Sequence, residues 1–167
     1  MQNIPNIPNM EELNISNMEE LNEWKEQISL DEYNKLVEFI NLTKNKQKIN
    51  NKFLFLVGNI QKAIKLVLDI EDAINIDDCE CIDCDILEDI FVPDKEEYIL
   101  QPDYLNTKCL TIKVDNEKHF LTKSNIIKEI ISPDYNNGYF KFNTIIISEN
   151  IPDNKSILER AIKINLG

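Results

Sequence analysis

Three short apolar runs set the strongest constraint on this chain: Phe53-Leu54-Phe55-Leu56-Val57, Cys109-Leu110-Thr111-Ile112-Lys113-Val114 and Thr144-Ile145-Ile146-Ile147-Ser148. Each is too short for a core helix and carries almost no polar alternation, which is the pattern of a strand buried on both faces. Helical spacing separates the runs. After Ser29, the residues Leu30, Tyr33, Leu36, Val37 and Ile40 recur at helical intervals, so residues 30–44 are expected to form an amphipathic helix. Asn59 to Leu68 reads as a helix with Ile60, Ile64, Val67 and Leu68 toward the sheet. Ser124 to Ile131 reads as another, with Ile126, Ile127, Ile130 and Ile131 inward, ended by Pro133. A short helix over Ser156 to Arg160 and a last strand over Ala161 to Leu166 complete the pattern. Strands alternating with helices predict a three-layer α/β fold with a mainly parallel sheet.

The flanks add organisation. Residues 1–16 read as a flexible lead. In it Ile7-Pro8-Asn9-Met10-Glu11-Glu12-Leu13-Asn14 nearly repeats as Ile15-Ser16-Asn17-Met18-Glu19-Glu20-Leu21-Asn22, too short a period for a solenoid. Residues 17–167 read as one domain, a helical segment over 17–50 and a sheet core over 51–167. Asn17 with Glu20, and Ser29 with Glu32, have the spacing of a capping box, and Trp24 reads as core packing on the first helix. Residues 77–107 read as acidic and irregular, with short strands or helices whose positions the pattern does not fix.

The net charge is -12, from 30 acids against 18 bases. Phosphate backbones are bound by Lys and Arg, so general nucleic-acid binding is not expected. The charge is segregated: Lys44 to Lys65 holds six lysines and no acid, whereas Asp77 to Glu97 holds ten acids and one lysine. Two solvated faces explain this, as does a dipolar surface that docks a partner. No run approaches the length of a membrane span, and no secretory signal pattern opens the chain. The four cysteines are therefore expected to be reduced.

One series of segments resembles a family. Strand Phe53–Val57 runs into Gly58-Asn59, strand Leu110–Val114 into Asp115, and Thr144–Ser148 into Glu149-Asn150-Ile151-Pro152, followed by Leu158-Glu159-Arg160. This looks like the ATPase core of superfamily 3 helicases, as in the primase-helicases of large DNA viruses. The resemblance implies a P-loop-NTPase-like fold over about residues 30–167. It implies a nucleotide site drawing on Gly58, Asn59, Lys65, Asp115 and Asn150, a downstream Arg160 that serves a neighbouring subunit, and association in rings. It also implies a setting in the host-cell cytoplasm or a viral factory.

The motif residues are altered. A P-loop needs Gly-Lys-Ser/Thr after its first glycine and four residues, so that backbone N–H groups, the lysine and the hydroxyl hold the phosphates and Mg²⁺. Here Ala63-Ile64-Lys65 stand there, and sliding by one places Ile64 and Leu66 at the glycine and hydroxyl positions. Asn116 follows Asp115 where a second acid belongs. Glu149 takes the sensor position, with Asn150 one place late and expected on the other face. The expectation is a non-catalytic relative that associates with an active helicase or other replication protein.

Two further readings stay open. Cys79, Cys81 and Cys84, with Cys109 or His119 as a fourth ligand, could hold zinc, although buried free thiols explain them too. The acidic residues 77–97 could mimic nucleic acid in a partner's basic groove. Tyr139-Phe140-Lys141-Phe142 is either a base-stacking hairpin or a half-buried strand.

Overall fold

The computed structural model describes residues 19–94, 97–100, 106–132 and 141–167. The lead 1–16, Asn17 and the Tyr139-Phe140 pair lie outside these residues, as do the side chains of Glu20, Glu88, Ile90, residues 91–100, Glu117 and His119.

The three apolar runs pair side by side, all parallel. Strand β1 (Phe53–Val57) pairs with β6 (Asn143–Ser148), and β6 pairs with β5 (Cys109–Val114). Two outer strands complete the sheet: β2 (Cys79–Asp83) beside β5 and β7 (Ala161–Asn165) beside β1. The order across the five strands is β2-β5-β6-β1-β7. A separate antiparallel hairpin joins β3 (Phe91–Asp94) to β4 (Glu97–Leu100).

Helices cover both faces. On one lie α1 (Leu30–Lys44), α2 (Ile60–Ile74) and a 3-10 segment over Glu19–Glu26. That layer packs Leu21, Trp24, Leu36, Phe39, Ala63, Leu66 and Ile70 on Leu54, Leu56, Ile145 and Ile147. On the other face lie α4 (Glu117–Thr122), α5 (Ser124–Ile131) and α6 (Lys155–Leu158). These pack Phe120, Ile126, Ile127, Ile130 and Ile157 on Phe53, Phe55, Ile112 and Ile146. Successive side chains of β1 thus feed two different cores, as the two-residue period of a strand requires. The architecture is the three-layer, P-loop-NTPase-like α/β fold expected from the runs.

Local chemistry explains the element ends. Ser29 and Glu32 form a full capping box at α1: the Glu32 N–H donates to Ser29 Oγ at 3.1 Å, and the Ser29 N–H donates to Glu32 Oε1 at 2.9 Å. Lys48 Nζ donates to the carbonyls of Ile130 and Ser132 at 2.6 and 3.1 Å, satisfying acceptors at the end of α5. The segment 19–26 is 3-10 rather than α-helical. Leu21 and Trp24, three apart, eclipse on one buried face there, and the Trp24 indole N–H donates to Asp69 at 2.8 Å.

Several expectations are corrected. Leu30 points outward from α1, 71% exposed. The helix after β1 runs to Ile74, and its buried face is Ala63, Leu66, Val67, Ile70, Ala73 and Ile74. Ile64 and Leu68 are 38% and 50% exposed instead, because the longer helix offers a stronger apolar stripe on another side. The short elements expected but not placed within residues 77–107 include strand β2, a short helix α3 (Leu87–Ile90) and the β3–β4 hairpin. Of the aromatic segment, Phe142 is buried in the second core and Lys141 is exposed. Among the described residues no helix is long and apolar enough to cross a membrane.

Asn143, buried at the start of β6, ties the layers together. Its Oδ1 accepts from the Ile49 N–H at 2.7 Å, and its Nδ2 donates to Thr43 Oγ1 at 2.9 Å and to the Gln47 carbonyl at 3.0 Å. Asn143→Ala strands these partners away from water and is expected to cost about 2–4 kcal/mol in urea unfolding. A cost below about 1 kcal/mol would show that water replaces the amide.

Candidate functional site

In a parallel sheet, ligands gather beyond the carboxyl ends of the strands, where neighbouring connections diverge. Here that edge carries Gly58 and Asn59 after β1, Asp115 after β5, and Glu149 and Asn150 after β6. A shallow hollow of about 130 Å³ lies there, lined by Ile60, Val114, Asp115, Ser148, Glu149 and Asn150. Asp115 and Asn150 thus line one hollow, and Glu149 lines it beside Asn150. Strand β6 stops at Ser148, whose hydroxyl donates to the Asn150 carbonyl at 2.6 Å, so alternation no longer governs where Glu149 and Asn150 point.

The junction above the hollow is short. Strand β1 ends at Val57 and α2 starts at Ile60, so Gly58 and Asn59 alone connect them. Asn59 caps the helix itself, its Oδ1 accepting from the Lys62 N–H at 3.1 Å. That carboxamide takes a donor which an anion at a helix N-terminus would use. The Gly58 N–H donates to the Ser148 carbonyl at 3.0 Å and is also turned away from any ligand. Gly58 adopts φ +122°, and a Cβ there would lie 2.9 Å from the Gly167 nitrogen, because residues 166–167 run alongside. The Leu166 N–H donates to the Val57 carbonyl at 2.8 Å, which fixes that contact.

Lys65 does not reach the hollow. It stands in the second turn of α2, its side chain 61% exposed and 3.8 Å from Glu23 on the 3-10 segment. Arg160 is also elsewhere. Its carbonyl accepts from the Phe53 N–H at the start of β1, so it lies at the opposite edge of the sheet from Asp115 and Asn150. Two residues that carry carboxylates, Asp115 and Glu149, line the hollow, and among the described residues no lysine or arginine does.

The cysteines are divided. Cys79 and Cys109 are register partners on adjacent strands, and Cys81 follows two residues along the same face as Cys79. Cys84, five residues beyond Cys79, opens a 3-10 turn and is buried in the opposite core with Leu87 and Phe120. The four do not converge on one point, which corrects the reading of a joint Cys79, Cys81, Cys84 and Cys109 site. Among the described residues no group of three or more His, Cys, Asp or Glu side chains is placed to hold a metal ion. Burial pushes the Cys84 thiol up to about 12. A hydrogen bond with Cys79, together with burial, raises Cys109 well above the ordinary thiol range. Burial and the neighbouring Glu71 raise Cys81 as well. These three thiols stay protonated at neutral pH and are poor nucleophiles.

The chain matches no protein-family model and no curated protein.

Two measurements check this geometry. Gly58→Ala meets both the positive φ and the close Gly167 backbone, so a loss of about 1–3 kcal/mol is expected in chemical unfolding. Unchanged stability would mean residues 166–167 move aside freely. The second concerns Glu71, a buried carboxyl raised above its ordinary range by desolvation and by the charges of Asp72 and Glu80. A raised carboxyl binds its proton more tightly when folded, so its contribution is present at low pH and is lost as pH rises through its folded value. Glu71→Gln should therefore raise the melting temperature at pH 7 and leave it nearly unchanged near pH 4. Equal effects at both pH values would contradict this.

Proposed function

We propose that the chain is a non-catalytic, helicase-like interaction protein that associates with an active replication helicase and modulates it. The observation that carries the first half is the two-residue connection between β1 and α2. A phosphate-wrapping loop spans a glycine, four residues and Gly-Lys-Ser/Thr, with successive N–H groups turned inward. Gly58 and Asn59 cannot describe that path, and the Gly58 N–H and the Asn59 Oδ1 are engaged within the fold. Without a lysine and a Mg²⁺-binding hydroxyl, the hollow offers a triphosphate two carboxylates and little to offset its charge.

The second half rests on the retained body. A P-loop-NTPase-like domain without working phosphate chemistry still carries the shape of a ring subunit, and segregated charge favours oriented docking. Such a subunit would enter or block a ring in the host-cell cytoplasm or a viral factory. The closed junction gives no support to a role in nucleotide turnover.

The test has two arms. Purified protein with Mg-ATP should release phosphate at the rate of a buffer blank, and Lys65→Ala should change nothing. Turnover abolished by that variant would overturn the catalytic half. Titrated into an active viral ring helicase, the protein should co-migrate with it in size-exclusion chromatography and change its ATPase rate. Separate migration with an unchanged rate would overturn the partner half.

A further inference from the structure

A second hollow with a charged lining lies at the other edge of the sheet, before the strands begin. It has a volume of about 310 Å³, and Lys46, Lys108 and Lys141 line it together with Thr43, Thr107 and Asp78. The three lysines come from three places in the chain: the end of α1, the residue before β5 and the approach to β6. In a chain of net charge -12, their convergence is not what a random spread of charge would give. Asp78 offsets one of them, at 3.1 Å from Lys108. Lys44, adjacent in the last turn of α1, has its ammonium form disfavoured by burial and by the charge of Lys108. A bound anion would relieve that repulsion between Lys44 and Lys108.

The floor is fixed. Thr43 and Asn143 are both buried and hydrogen-bonded to each other, and the Thr43 hydroxyl donates to the Phe39 carbonyl at 2.7 Å. The position of Lys46 is held by the helix end itself. The Gln47 N–H donates to the Leu42 carbonyl at 2.8 Å and the Lys46 N–H to the Thr43 carbonyl at 3.1 Å. This is a Schellman ending, in which the residue at the Lys46 place adopts a left-handed conformation and is usually glycine or asparagine. Lys46 has φ 58° there. The negative end of the helix dipole accounts for a lysine in the last turn. It does not account for a lysine at a strained position, nor for Lys108 and Lys141 arriving from the strands. Strain kept by a side chain that could be replaced cheaply is a pointer to use.

We propose that this hollow binds a small multivalent phosphate of the pyrophosphate class, with Lys46, Lys108 and Lys141 supplying the charge. Lysine ammonium groups act as compact point charges toward phosphate, each with three donors, and Thr43 and Thr107 add hydroxyls at the wall. The volume is at the small end of ligand pockets, suiting a di- or triphosphate group rather than a polymer. The acidic remainder of the surface repels a long polyanion. The site is separate from the Asp115–Asn150 hollow, which lies beyond the opposite strand ends.

Calorimetric titration of the full chain with sodium pyrophosphate tests this, with sodium sulfate at equal ionic strength as reference. Saturable pyrophosphate binding that sulfate does not reproduce is expected, weakened about tenfold in Lys141→Gln and in Lys46→Gly. Lys46→Gly carries a second readout, because glycine relieves the left-handed strain: its melting temperature should rise while its affinity falls. Absence of saturable binding, an affinity unchanged in both variants, or a sulfate response equal to that of pyrophosphate would overturn the proposal. So would a single-stranded oligonucleotide that binds where pyrophosphate does not.

Discussion

The structure depends on the complete burial of β1 between its two parallel neighbours. Phe53, Leu54, Phe55, Leu56 and Val57 are all buried, and they alternate between the two cores, as do Ile145, Ile146 and Ile147 of the neighbouring β6. Each such side chain contributes about 1.5–3 kcal/mol when removed from water. The register with β6 and β7 then fixes where the strand ends, and hence where everything at the carboxyl edge must lie. A one-residue slip would exchange the two cores, placing phenylalanines against α2 and leucines against α5.

That constraint explains why the edge is closed rather than open. With β1 ending at Val57 and the apolar stripe of α2 beginning at Ala63, packing draws the helix start up to Ile60. The remaining two residues are both committed, Gly58 to β6 and Asn59 to its own helix. The same backbone atoms that would face a phosphate in an open loop serve the fold instead. Binding capacity, on this account, has passed to the opposite edge, where the ends of α1 and the starts of β5 and β6 bring lysines together.

Much of the fold was legible because the central strands are buried on both faces, and unbroken apolar runs need no partner information to be recognised. Strand β2 was not, because it is an edge strand with only Ile82 buried; Cys79-Glu80-Cys81-Ile82-Asp83 reads as polar chain. The inward face of α2 was misread for a related reason. A window closing at Leu68 omits Ile70, Ala73 and Ile74, the residues that tilt the stripe away from Ile64. At the site, the strand ends put Asp115, Glu149 and Asn150 at one edge of the sheet, whereas alternation carries no information beyond Ser148, where β6 stops. The separation of Cys84 from Cys79 depends on where β2 ends, because Cys84 lies past Asp83 in a 3-10 turn, and could be read only once that strand was known. The lysine hollow was beyond reach, since Lys46, Lys108 and Lys141 meet only through the tertiary fold.

The central claim is that the β1–α2 junction presents no phosphate cradle. Its most direct test is a titration of isotope-labelled protein with Mg-ATP, following the backbone amide resonances of Gly58, Asn59, Ile60, Gln61 and Lys62 by NMR. The account predicts that these five signals stay in place up to millimolar nucleotide, because the Gly58 N–H is held by the Ser148 carbonyl, the Lys62 N–H is held by the Asn59 cap, and Lys65 stands away from the junction. Saturable shifts centred on Gly58 to Lys62 would contradict it and restore the junction as a nucleotide site.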